Sequence, residues 1–188
     1  MSKDQERSFI ARITCGTNLA FFKTKLDSDL LESNSHSSAF PPDIITTFHA
    51  HPPTNKTPRS PNYNKTMVVH FQCYDDYYNI QILSETYYQK YFDKNSQGIL
   101  AARPAAGGDT VSFNLLNSNH EIITLDDLSG SQATIRLKAR HAGIIRRTIW
   151  PAPVNSVCFT EKSGDIATFK LDILERHAVS PKSSTPYS

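Results

Sequence analysis

The stretch VHFQC at residues 69–73 returns as VSFNL at residues 111–115 and as ATFKL at residues 167–171. Each copy places a Phe between two apolar residues that lie two positions away on either side. Because side chains alternate between the two faces of a strand, each triplet points its apolar residues into one core. A strand that occurs three times within 188 residues predicts a domain with threefold internal symmetry.

Each copy closes a unit of four short strands separated by Gly, Pro, Asn and Asp residues. The second and third units open with alternating stretches at residues 78–84 and 133–139. Phe169 follows Ile135 by 34 positions, and Phe113 follows Ile80 by 33 positions, so these two units have nearly equal length. Short strands at regular spacing with turn residues between them predict an all-β barrel or sandwich.

The units give the predicted domain boundaries. We expect one domain over residues 9–176, with repeats at 9–77, 78–117 and 133–176 and an insert at 118–132 that forms an extra strand or a short hairpin. The first repeat is longer because it contains irregular stretches at residues 25–43 and 52–65. We expect residues 1–8 to be a disordered tail and residues 177–188 to be a flexible one.

The composition is that of a globular protein. Hydrophobic residues make up 38% of the chain and charged residues 20%, and the net charge of +2 is too small for a broad nucleic-acid-binding face. The polar start of the chain, the absence of any apolar run of about 18 residues and the absence of a CxxC motif favour a cytoplasmic protein without a membrane segment. We expect Cys73 and Cys158 to be buried.

Residues 79–84, 91–102 and 111–115 together resemble a repeat of fascin-like β-trefoil domains. They contain an opening strand, a Tyr, a turn, a strand of small residues and a closing Phe-x-Leu. The third unit resembles it through IRLKA at 135–139 and TFKL at 168–171. The resemblance implies a β-trefoil, a six-stranded barrel capped by three hairpins, and a scaffold whose loops bind partners. Such domains include lectins, protease inhibitors and actin-binding modules, and fold alone does not choose among them.

Six tyrosines between residues 74 and 91 are the first candidate for a ligand surface. Aromatic rings stack on sugars and anchor protein interfaces, although ordinary strand packing also uses Tyr. We expect the exposed members to be Tyr77 and Tyr88.

A basic stretch over residues 138–147 is the second candidate. Its charged side chains would meet phosphates or an acidic protein surface, although a solvated hairpin tip has the same composition. The residues that carry this prediction are Arg140, His141, Arg146 and Arg147.

The pair His49 and His51 is the candidate for a metal site, because positions two apart on a strand share a face. A site needs a third ligand, for which His36, Asp43 and His70 are candidates. Two solvated histidines at a strand end are the alternative interpretation.

The loop at residues 52–65 is the candidate for a protease inhibitor, since proline stiffens a loop that enters a protease cleft. Its candidate contact residues are Pro53, Thr54, Asn55, Lys56 and Arg59.

No catalytic motif occurs in the sequence. The sequence therefore favours a monomeric, non-enzymatic binding module that recognises a protein surface or a glycan, without a cofactor. The alternatives are a protease inhibitor and a fascin-like actin-binding module.

Overall fold

The computed structural model describes residues 6–21, 44–47, 66–85, 87–104, 112–149, 157–181 and 186–187. The strands within these ranges are β1 (Phe9–Cys15), β2 (Thr17–Phe21), β3 (Ile45–Thr47), β4 (Met67–Tyr74), β5 (Tyr77–Ile82), β6 (Tyr91–Lys94), β7 (Leu100–Arg103), β8 (Ser112–Leu116), β9 (Ile122–Ile123), β10 (Gln132–Ala139), β11 (Arg146–Ile149), β12 (Val157–Thr160), β13 (Asp165–Ile166) and β14 (Phe169–Arg176).

Six of the strands form a closed antiparallel barrel. Going round the ring, β1 pairs with β14, then β10, β8, β5 and β4 follow, and β4 pairs with β1 again. Each predicted repeat contributes its first and its last strand to this ring. The predicted fold class is confirmed: the protein is all-β, with further strands outside a closed six-stranded barrel, consistent with a β-trefoil.

Three hairpins outside the ring complete the repeats: β2 with β3, β6 with β7, and β11 with β12. The second strands of these hairpins, β3, β7 and β12, are joined to one another at or next to their ends. The joining pairs are Ile44–Ala101, Ile99–Thr160 and Cys158–Thr46. Ile44, Ile99 and Cys158 form a small buried cluster of their own. Since each repeat supplies one residue, the threefold symmetry of the sequence extends to the packing of the cap.

The barrel core is built on the repeated Phe residues. Phe71, Phe113 and Phe169 are all fully buried in one cluster. Phe9 stacks on Phe71 with ring centroids 4.5 Å apart, and Tyr78 meets both rings edge-on. The triplet residues that the structure describes therefore point inward as predicted, and Val111 lies outside the described residues.

The predicted burial of Cys73 and Cys158 is confirmed, and Cys15 is buried as well. No disulfide joins these three cysteines. Burial raises the pKa of the Cys158 thiol to about 11, so this thiol is protonated at neutral pH.

The insert between the second and third repeats is part of the core. Its strand β9 pairs with β8, and a 3₁₀ turn follows at Leu125–Asp127. Ile123, Leu125 and Leu128 are buried in the main cluster. The Leu125 N–H donates to the Tyr78 hydroxyl over 3.0 Å, which ties the turn to the core. The extra residues therefore serve the scaffold.

Parts of the predicted disordered and flexible ends are packed on the barrel. Ser8 is buried, and its hydroxyl accepts a hydrogen bond of 2.9 Å from the Cys73 N–H. At the other end Ala178 is buried, and Tyr187 pairs with Ser84. The sequence does not reveal this packing because it depends on contacts between residues far apart in the chain.

Candidate functional site

Two tyrosines flank the turn between β4 and β5. Tyr74 and Tyr77 are directly opposite each other across the two strands, and their rings stack with centroids 5.8 Å apart. Asp75 takes a left-handed conformation with φ of 59°, which Asp tolerates better than most residues. The Asn114 side-chain amide donates to the Asp76 carbonyl over 2.8 Å and holds the turn in place. Tyr74 is 37% exposed, and Tyr77 is half-buried.

An arginine from the third repeat joins this pair. Arg140 follows β10, and its N–H donates to the Ser112 carbonyl on β8 over 2.8 Å. Its guanidinium lies over the Tyr77 ring, 3.8 Å from the centroid. Neighbouring barrel strands follow the order β4, β5, β8, β10, so Tyr74 and Arg140 approach Tyr77 from opposite sides. We call Tyr74, Tyr77 and Arg140 the Tyr–Arg stack.

A third aromatic side chain, that of Tyr91, lies near the stack. Burial and the neighbouring Tyr74 hydroxyl raise the pKa of Tyr91. Burial and the Tyr77 hydroxyl likewise raise the pKa of Tyr74. Both phenols are therefore protonated at neutral pH, and they can donate as well as accept hydrogen bonds. The surface combines planar apolar groups, neutral hydroxyls and one positive charge.

The structure brings together two of the predicted binding residues, Tyr77 and Arg140. His141 follows Arg140 directly and is exposed, with a left-handed φ of 58°. Tyr88 packs elsewhere, against a separate apolar cluster on the outside of the barrel.

The predicted basic surface is divided. Arg146 is half-buried and donates to the Gly164 carbonyl over 3.0 Å, whereas Arg147 is exposed. Because neighbours on a strand point to opposite faces, Arg146 and Arg147 cannot both belong to one basic surface.

Two predicted sites lie outside the residues that the structure describes. These are the histidine pair His49 and His51 and the loop residues Pro53, Thr54, Asn55, Lys56 and Arg59. Within the described ranges, no group of three or more His, Cys, Asp or Glu side chains is placed to hold a metal ion. None of the helical turns in those ranges is long and apolar enough to cross a membrane.

Tyr74 belongs to the predicted tyrosine group, but the sequence did not predict that its side chain is exposed. The usable signal was its position: Tyr74 and Tyr77 flank a two-residue Asp-Asp turn, which makes them a cross-strand pair. Comparison with known proteins adds no further candidate residue. No protein-family model matches this sequence, and no curated protein matches it either.

Proposed function

We propose that this protein is a non-enzymatic binding module that recognises a protein surface or a glycan through the Tyr–Arg stack. The observation that supports the proposal is one exposed and one half-buried tyrosine stacked with an arginine on the outside of the barrel. Tyr and Arg are enriched among the residues that dominate binding free energies at protein interfaces. Rings with two rotatable side-chain bonds also lose little conformational entropy on binding.

A protein surface is the better supported of these two ligands. A sugar ring packs against the open face of an aromatic ring. The Tyr77 ring already contacts the Tyr74 ring and the Arg140 guanidinium, so it offers less open ring surface to a sugar. The hydroxyls and the guanidinium of these side chains suit the carbonyl, amide and side-chain groups of a protein.

Arg140 adds a specific contact to this surface. Among the described residues, the contact made by its guanidinium is the Tyr77 ring. A guanidinium has five N–H donors, and its contact with the ring leaves donors for the polar groups of a partner. A carbonyl or carboxylate oxygen of a partner would accept from these donors.

Capture from a lysate of the source cells tests the proposal. The wild type and the variants Tyr74→Ala, Arg140→Gln and Arg12→Ala serve as baits, and bound proteins are quantified by mass spectrometry. Arg12 is the matched control, because its side chain is exposed on the barrel and it pairs with Val68, six residues before Tyr74 on β4, which places it about 20 Å from the stack along the strand. We expect a partner that the wild type and Arg12→Ala retain and the other two variants lose.

The isolated partner then allows the loss of affinity in each variant to be measured. Replacing a dominant interface residue raises Kd by about thirtyfold. Partner binding that tolerates both Tyr74→Ala and Arg140→Gln would contradict the proposed site. A glycan array with the same four proteins identifies a sugar ligand instead, if the two stack variants lose its signal.

The alternative functions have their own assays. A protease inhibitor would act through residues 52–65, and deletion of this loop would abolish inhibition of the target protease. An actin-binding module, suggested by the resemblance to fascin-like repeats, would co-sediment with filamentous actin. A metal site at His49 and His51 would retain metal through purification and lose it in the His49→Ala variant.

A further inference from the structure

A second apolar cluster lies on the outside of the barrel, away from the Phe core. Ile10 on β1 and Val68 on β4 point outward, since their neighbours along each strand belong to the main core. Even so, both are buried, together with Leu83. Residues on the outer wall of a barrel are buried only where another segment covers them.

Tyr88 and the C-terminal end of the chain cover these residues. We call the described residues of that end, 177–181 and 186–187, the C-terminal strap. His177 has a left-handed φ of 56°, which turns the chain at the end of β14. Ala178 and Tyr187 then pack against the outer cluster, the first buried and the second half-buried.

A small set of polar contacts fastens the strap to the barrel. The Ala178 N–H donates to the Ser8 carbonyl over 2.8 Å, and the Tyr187 N–H donates to the Leu83 carbonyl over 2.8 Å. His177 is hydrogen-bonded to the Glu6 carbonyl. Segments that are attached by few backbone hydrogen bonds open locally at a free energy below that of global unfolding.

A buried histidine lies under the strap. His70 on β4 is 1% exposed, and its Nε2 lies 2.6 Å from the Ala178 carbonyl oxygen. A carbonyl oxygen only accepts hydrogen bonds, so Nε2 carries the proton and donates it. Neutral His70 therefore fits the closed strap, whereas a second proton would place a positive charge in a site sealed from water.

We propose that the C-terminal strap is a releasable cover, and that protonation of His70 favours its opening and exposes the apolar face formed by Ile10, Val68 and Leu83.

The groups around His70 set the direction in which its pKa shifts. Burial lowers the pKa of His70, while the Ala178 carbonyl and the Glu175 carboxylate oppose that shift. Its cross-strand neighbours, Ile10 on β1 and Gln81 on β5, are uncharged. Burial is the largest of these effects, so the pKa in the closed state is below the ordinary value of 6.5.

The sign of the pH dependence follows from the two states. With the strap open, His70 meets water and returns to its ordinary pKa, so between the two pKa values the open state binds more protons. Lowering the pH through this window shifts the equilibrium toward opening, by at most about tenfold per pH unit. Well above pH 6.5 His70 is neutral in both states, and the opening is independent of its titration.

Amide hydrogen exchange of the strap tests the proposal. We expect the protection factors of the Ala178 and Tyr187 amides to fall as the pH is lowered from about 7.5 to about 5. The Ile145 amide, which donates to the Leu137 carbonyl over 2.7 Å in the third repeat, is the internal control and should keep its protection. A parallel fall at Ile145 would indicate global unfolding and would overturn the proposal, as would pH-independent protection of the strap.

His70→Gln is the matched variant, because its side-chain amide keeps a donor near the position of Nε2 but does not titrate. Its strap should show the same protection at both pH values. A pH-dependent fall like that of the wild type would overturn the role of His70. A variant that does not fold leaves a direct measurement on the wild type: the imidazole resonances of His70 should titrate below pH 6.5, and titration at or above that value would refute the mechanism.

Discussion

Strand β1 has two outward-facing side chains with opposite environments. Ile10 and Arg12 share the outer face, because positions two apart point the same way. Ile10 is fully buried beside the C-terminal strap, whereas the Arg12 side chain is 47% exposed and pairs with Asp172 at 3.2 Å. Phe9, on the inner face, is fully buried against Phe71. Alternation thus decides the face, and a remote segment decides which outer positions are covered.

The inner position should give the largest effect on stability. Phe9→Ala removes a fully buried ring that stacks on Phe71, and it should lower the free energy of unfolding by about 3–5 kcal/mol. Urea denaturation monitored by circular dichroism measures the loss. Phe113→Ala, in the second repeat, is equally buried and should lose a similar amount. A loss below about 1 kcal/mol in either variant would mean that these rings do not share one packed core.

A substitution at the covered outer position, Ile10, should have an intermediate effect on stability. Ile10→Val removes one buried methylene and should lower the free energy of unfolding by about 1 kcal/mol. Ile149→Val makes the same chemical change at a side chain that is 68% exposed, and it should be nearly neutral. Equal small losses in the two variants would show that the strap does not cover Ile10 in solution.

The open outer position should give the smallest effect. Arg12→Ala breaks an ion pair that is half exposed on both sides, and water screens such pairs strongly. The expected loss of stability is at most about 0.5 kcal/mol. Lys170→Ala, on the exposed outer face of β14, provides a second measurement and should also be nearly neutral. A larger loss in both variants would indicate that this face is covered as well.

The threefold pattern predicted most of the scaffold, because it depends on local periodicity. Phe71, Phe113 and Phe169 are buried as expected, and the opening strand of the third repeat is found where the alternation placed it. The insert was predicted only as an extra strand or hairpin. Its burial of Leu125 was not predictable, since this required the position of the Tyr78 hydroxyl on a remote strand.

The candidate site was predicted in pieces. Tyr77 was selected as an aromatic residue and Arg140 as a basic one, each from its own local composition. Their contact, 3.8 Å from guanidinium to ring centroid, was not expected. His70 was considered a third metal ligand for the histidine pair, yet the structure buries it against the Ala178 carbonyl. Neither contact leaves a periodic signal in the sequence.

The sequence by itself determined an all-β chain with three related units and the inward face of each closing strand. Tertiary structure alone decided that Tyr74, Tyr77 and Arg140 form one stack and that Ile10 and His70 lie under the strap. The physical reason is the separation along the chain of the residues that each feature involves. Alternation of side chains is a property of one strand, whereas closing the barrel sets which distant residues meet on its outer wall.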